Sequence, residues 1–138
     1  MYEYRCKVVK IIDGDTVDVD IDLGFGVWLH KERIRLYAID TPESRTRDLV
    51  EKKYGFAAKD FLTGMLDDEG GIILKTHKDA TGKFGRILGE LWRTTNYADQ
   101  SINDYMVEKH HAVRYYGQSK NDIEAEHIKN RELVTLNE

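Results

Sequence analysis

Two carboxylates sit at the ends of apolar rows, where charge is costly unless it is paired or coordinated. Asp15 shares strand parity with Val17, Val19 and Ile21, so a regular strand puts it at the end of the core-facing row. Asp40 shares parity in the same way with Ile34, Leu36 and Ala38. A lone ion in such a place costs several kcal/mol. Paired ends of this kind read as ligands for a hard cation or as parts of a buried polar network. The plainer alternatives are that Asp13-Gly14-Asp15 is a hairpin turn and that Asp40 caps the turn before Pro42.

Arg35 lies five residues before Asp40. Its planar fork matches phosphate or carboxylate, so it serves an anion site or neutralises a neighbouring Asp. Arg33 reads as part of a solvated face. Glu43, just past the turn that Pro42 fixes, suits a general base if this strand end is a site. Gly82-Lys83-Phe84-Gly85-Arg86 places two cations in a glycine-flexed hairpin that can approach a ligand closely or be a plain turn. It is not a P-loop, since Phe84 follows the Lys where Ser or Thr is needed. Tyr115-Tyr116-Gly117, after Arg114, offers either a stacking face for a base or ordinary packing. His110 and His111 are adjacent and point apart on regular structure. His30, His77 and His127 each stand alone, and none of the five is assigned chemistry.

The elements that must position these residues are mostly strands. Tyr4–Ile12 is rich in Val and Ile, and Asp13-Gly14 is a tight turn. Thr16–Leu23 alternates, with Asp18, Asp20 and Asp22 on a solvated face. After the break at Gly24-Phe25-Gly26, Val27–Ile39 is another extended stretch that Pro42 closes. From Lys53 to Asp68 the apolar spacing becomes three and four, which predicts a helix ended by Gly70-Gly71. Two more strands are expected at Ile72–His77 and Arg86–Trp92. Ser101 and Ser119 each open a helix with a capping-box-like pattern, the last reaching about Leu133 with a weak apolar face. Five strands and three helices in this order predict an α+β fold, mostly β at its core: a small curled barrel with helices outside.

Length and composition bound the rest. At 138 residues, 41% of them apolar, the chain suffices for one domain with a real core. Its single cysteine, Cys6, has no disulfide partner, and no Cys/His spacing resembles a zinc site. No apolar run approaches membrane-spanning length, and the first residues lack a secretory profile, so a cytoplasmic setting is expected. The net charge of −4 argues against a broad DNA-coating face. Residues 31–59 nevertheless carry eight Lys/Arg against five Asp/Glu, a local +3 that permits an anion site.

The segments converge. Ile12-Asp13-Gly14-Asp15-Thr16-Val17, Arg35-Leu36-Tyr37-Ala38-Ile39-Asp40-Thr41-Pro42-Glu43, Val50-Glu51-Lys52-Lys53-Tyr54-Gly55 and Lys83-Phe84-Gly85-Arg86 together resemble the staphylococcal nuclease (thermonuclease) family, in order and in spacing, over roughly residues 4–130. The resemblance implies a five-stranded oligonucleotide-binding (OB-fold) barrel with three helices, in one domain over residues 1–138. It implies that Asp15 and Asp40 bind one Ca²⁺ through carboxylates and Thr41 through its backbone carbonyl, with Asp13 behind them. Glu43 would be general base or positioner of the attacking water, and Arg35 and Arg86 would grip the scissile phosphate. Lys83 and Tyr115 match positions that contact nucleotide phosphate and base. The implied reaction is cleavage of DNA and RNA, single strands preferred, to 3′-phosphate and 5′-hydroxyl ends, by a monomer. The rival is a non-catalytic nucleic-acid-binding module on the same barrel. Such members typically lose the acidic ligands and the arginines, whereas Asp15, Arg35, Asp40, Glu43 and Arg86 are all present here. Phe84 in place of Tyr, a less basic loop at Ser44–Asp48, a longer hairpin at Gly24–Trp28 and the lack of a late tryptophan depart from the secreted enzyme.

Overall fold

In a computed structural model that describes residues 2–78 and 86–136, period-two alternation builds a closed barrel. Its strands are β1 (Glu3–Asp13), β2 (Thr16–Gly24), β3 (Val27–Leu36), β5 (Ile72–His77) and β6 (Ile87–Arg93), in the order β1-β2-β3-β6-β5. β5 pairs back onto β1, and every pairing is antiparallel except β3 with β6. Two short strands, β4 (Ile39–Asp40) and β7 (Val113–Arg114), form a separate ribbon beside it. The helices are α1 (Leu49–Leu66), α2 (Ile102–Glu108) and α3 (Lys120–Arg131). The expected α+β class, five-stranded barrel and three helices are all present, and none of the helices among the described residues is long and apolar enough to cross a membrane.

Val17, Val19 and Ile21 of β2, Ile34 and Leu36 of β3, Leu74 of β5 and Leu91 of β6 fill the barrel. Ala58, Leu62 and Leu66 of α1 belong to the same core, as do Ile102 and Met106 of α2. α1 begins four residues before the expected Lys53. Asp48 caps it by accepting the N–H groups of Val50 and Glu51, and the exposed Leu49 and Val50 blur the helical period there. Ser101 and Ser119 cap α2 and α3 as expected, through the N–H groups of Asp104 and Asp122.

The barrel has a seam. β3 and β6 pair only from Ile34/Ile87 to Leu36/Gly89, after which the strands part. Asn103 of α2, 2% exposed, fills the gap. Its Oδ1 accepts Leu91 N–H at 3.2 Å, and its Nδ2 donates to Tyr37 O at 3.0 Å and Gly89 O at 3.1 Å. One side-chain amide thus replaces the missing ladder and holds the chain leaving β3, which carries the candidate site. Removing it strands the Leu91 N–H away from water and takes a donor from Tyr37 O, while Gly89 O keeps the Tyr37 N–H at 2.8 Å. Asn103→Leu should therefore lower stability by about 1–3 kcal/mol in urea titration, despite its added apolar surface; an unchanged midpoint would remove the seam role.

Candidate active site

Asp15 is placed by its own backbone as much as by its side chain. Its carbonyl accepts Leu36 N–H at 2.8 Å, locking the β1–β2 turn against the end of β3. Its Oδ2 accepts Thr41 N–H at 3.1 Å and its Oδ1 accepts the Thr16 hydroxyl at 3.0 Å. Asp15 is buried at the end of the β2 core row, where parity put it. For Asp40 the parity argument fails. The chain turns at Tyr37-Ala38, with Ala38 at φ 63°, and the inversion sends Ile39 rather than Asp40 into the core. Ile39 is fully buried, and the Asp40 carboxylate faces a cleft with its side chain 28% exposed.

Arg35 joins the two acids. Its Nη2 lies 3.5 Å from Asp15 Oδ2 and 3.6 Å from Asp40 Oδ1, and its Nη1 donates to Leu36 O at 3.0 Å. Its side chain is only 15% exposed, so the charge it balances is poorly screened by water. Arg33 differs as expected, pairing with Asp18 on an open face at 2.9 Å. The other Asp40 oxygen, Oδ2, accepts a hydrogen bond from His127 Nε2 at 2.8 Å.

Glu43 follows on a turn that α1 supports from below. A Cβ at Gly55 would lie 2.3 Å from the Glu43 carbonyl oxygen, so helix and turn meet backbone to backbone. Ser44 is buried and its hydroxyl bonds to Asp13, which also pairs with Arg45 at 3.5 Å. Partial desolvation holds the Glu43 carboxyl above its usual range, and the carboxylates of Asp13, Asp15, Asp40 and Glu51 push in the same direction.

A cleft of about 600 Å³ gathers Arg35, Asp40, Thr41, Glu43, Arg86 and Tyr115 on one wall system, with α3 as the other side. Tyr115 donates its N–H to Ala38 O at 2.8 Å and is 43% exposed. Lys83 and its hairpin lie outside the described residues. A larger hollow of about 720 Å³, beside α1, is lined by Phe56, Phe61 and His111 and contains no predicted site residue. His127 is the residue that sequence reasoning missed. Its signal was its place on the half-buried stripe Ile123, His127, Asn130 and Arg131 of a helix whose apolar face is otherwise weak.

Among the described residues no three His, Cys, Asp or Glu side chains converge as a protein-only metal cage. What the cleft offers is an oxygen set: two carboxylates converging on one guanidinium nitrogen, and Thr41, whose buried hydroxyl has no hydrogen-bond partner among the described groups. Such a set suits a hard cation that keeps water ligands, such as Ca²⁺, and does not suit a soft or tetrahedral metal.

The sequence matches the family model described as staphylococcal nuclease homologue over residues 33–134. It is 35% identical over 118 residues to protein ParB of Escherichia coli, a match covering 82% of this chain and 58% of that protein. It is 31% identical over 90 residues to the thermonuclease of Staphylococcus hyicus, covering 65% and 49%. With the micrococcal nuclease of Shigella flexneri it shares 30% identity over 122 residues, covering 83% and 62%. The chain thus spans between 49% and 62% of the length of these relatives.

The tight contact under Glu43 sets two glycines of α1 apart. Gly55→Ala should cost about 1–3 kcal/mol, because backbone must move to admit the methyl group. Gly64, where a Cβ would meet nothing within 4 Å, should instead gain about 0.5–1 kcal/mol as Ala. Urea titration of both variants checks this, and equal effects would mean that the Glu43 turn yields freely.

Proposed function

Because the chain belongs to the staphylococcal nuclease family, we propose that this cleft hydrolyses phosphodiester bonds of DNA and RNA, single strands preferred, with Ca²⁺, leaving 3′-phosphate and 5′-hydroxyl ends. The observation that carries the reading is the Arg35 guanidinium shared between Asp15 and Asp40 in a cleft that also holds Glu43 and Arg86. A purely structural ion pair would need neither the second arginine nor a further carboxylate opening on the same cleft.

Asp15, Asp40 and Thr41 are the residues that would hold the cation. When bound, Ca²⁺ supplies charge stabilisation for the phosphoryl oxygens and favours ionisation of water. Glu43, in the cleft beside Asp40 and Thr41, takes a proton from the water that attacks phosphorus. The P–O5′ bond breaks, the 5′ oxygen leaves as a hydroxyl after taking up a proton, and the phosphate stays on the 3′ side. Arg35 and Arg86 hold the phosphoryl oxygens as negative charge builds on them. Guanidiniums fixed beforehand stabilise that charge more in the transition state than in the ground state. Asp13 anchors Ser44 and with it the Glu43 turn. Tyr115 stacks on a base at the cleft edge, and Lys83 serves a substrate phosphate.

The second reading, a binding module without catalysis, keeps the cleft and loses the chemistry. Cleavage of single-stranded DNA in Ca²⁺, in excess chelator and with Glu43→Ala separates the two. Cleavage that needs Ca²⁺ and is lost in the variant is expected, whereas tight binding without cleavage in either condition would establish the module. Arg35→Lys should lower turnover by roughly 10²-fold or more, because a point charge cannot reproduce the planar fork; unchanged turnover in that variant would sink the clamp.

A further inference from the structure

The barrel's outer face beside the cleft carries a row of rings that phosphate chemistry leaves unused. Ile34 and Leu36 of β3 point into the core, so Arg35 between them points outward. Across β6, Arg35 stands opposite Leu88, and Leu88 stands opposite His77 of β5. The next outward positions pair Lys75 with Glu90 and Ile73 with Trp92. Tyr37, just past the end of β3, lays its ring flat on His77, with centroids 3.8 Å apart and planes 4° from parallel.

Glu90 pins this row. One of its carboxylate oxygens bonds to His77 Nε2, and the other accepts Trp92 Nε1–H at 3.1 Å. Lys75 Nζ lies 4.0 Å from the Trp92 ring centroid and 3.3 Å from the exposed Glu3 carboxylate. Leading away from the cleft, the face therefore presents Arg35, the Tyr37–His77 stack, and Trp92 with Lys75. Tyr37 remains 40% exposed although His77 covers one of its faces, which leaves its other face and edge to solvent. Rings held at their edges lose little freedom when a third ring stacks on them. Both oxygens of Glu90 are taken by the rings beside it, with Arg35 at the cleft end of the row and Lys75 opposite Glu90, before Trp92.

We propose that this face is a stacking track for the single strand whose cleavage the cleft carries out, an inference that rests on the nucleic-acid reading above. A base next to the scissile phosphate lies on the free face of Tyr37, a further base meets Trp92, and Lys75 faces the backbone between them. Continuity with Arg35 selects nucleic acid as the occupant. The alternation of flat rings and cations is what a base-and-phosphate chain matches without regard to sequence.

Trp92 reports its own occupancy. The chain has two tryptophans, and Trp28→Phe leaves Trp92 as the sole indole emitter. In that background with Glu43→Ala to prevent turnover, and with Ca²⁺ present, an oligothymidylate of eight nucleotides should quench the Trp92 emission saturably. A dinucleotide, too short to reach past Tyr37, should not. Adding Tyr37→Ala should weaken octamer binding about tenfold. Tyr37→Phe keeps the flat face and should restore binding, which separates stacking from misfolding or a lost hydroxyl contact. Absence of octamer quenching while Glu43-intact protein cleaves the same octamer would overturn the track and leave the nuclease reading standing. Quenching without cleavage by the Glu43-intact protein would uphold the track and overturn the nuclease reading. Absence of both would overturn both.

Discussion

Two carboxylates brought together beside a hydrophobic barrel repel each other, and the fold tolerates them because Arg35 stands between them. Most of the site geometry follows from satisfying that requirement. Asp15 is fixed by the β1–β2 turn and by its hold on Leu36 and Thr41. Asp40 reaches the same guanidinium only because the chain reverses at Ala38. Thr41, Pro42 and Glu43 then have a single path, over the backbone of α1 at Gly55. Unpaired, acids this close to the core would cost more than the small net stability of a domain this size can absorb. The same arrangement suits phosphate chemistry, since a cation that balances two acids is already aimed where an anion must sit.

The barrel supplies rigidity, and the seam between β3 and β6 supplies the opening. Where β3 and β6 part, the chain is free to turn outward with Tyr37 and Ala38, and the cleft forms beyond that departure. Asn103 makes this possible by satisfying the backbone groups that the missing pairing would strand. The seam thus belongs to the architecture of the site as much as to that of the core.

Alternation of Val17, Val19 and Ile21 announced β2 and the inward place of Asp15, because strand parity is a local rule. The same rule misplaced Asp40, because the inversion occurs at an alanine, a residue that carries no mark of positive φ. α1 was legible from the spacing of Tyr54, Ala58, Phe61, Leu62 and Met65 but not from its first turn, where Leu49 and Val50 face solvent. The ribbon of β4 and β7 was invisible, being two residues on each side joined across more than seventy positions. His127 and His77 were passed over for a related reason. Each gains its partner, Asp40 in one case and Tyr37 and Glu90 in the other, only through tertiary contact.

His127 is the single buried residue of α3, and it meets the β4–β7 ribbon at Asp40. The helix's other holds are polar as well, Asn130 Nδ2 donating to Ala112 O and the Tyr54 hydroxyl to Arg131 O, both at 3.4 Å, so it lacks the apolar seam that normally makes docking insensitive to local chemistry. Its attachment is coupled to the state of that carboxylate, so whatever competes for Asp40 Oδ2 also loosens the helix. Reciprocity follows: whatever holds α3 down restrains the Asp40 side chain, and the far wall of the cleft becomes part of the energetics of its floor.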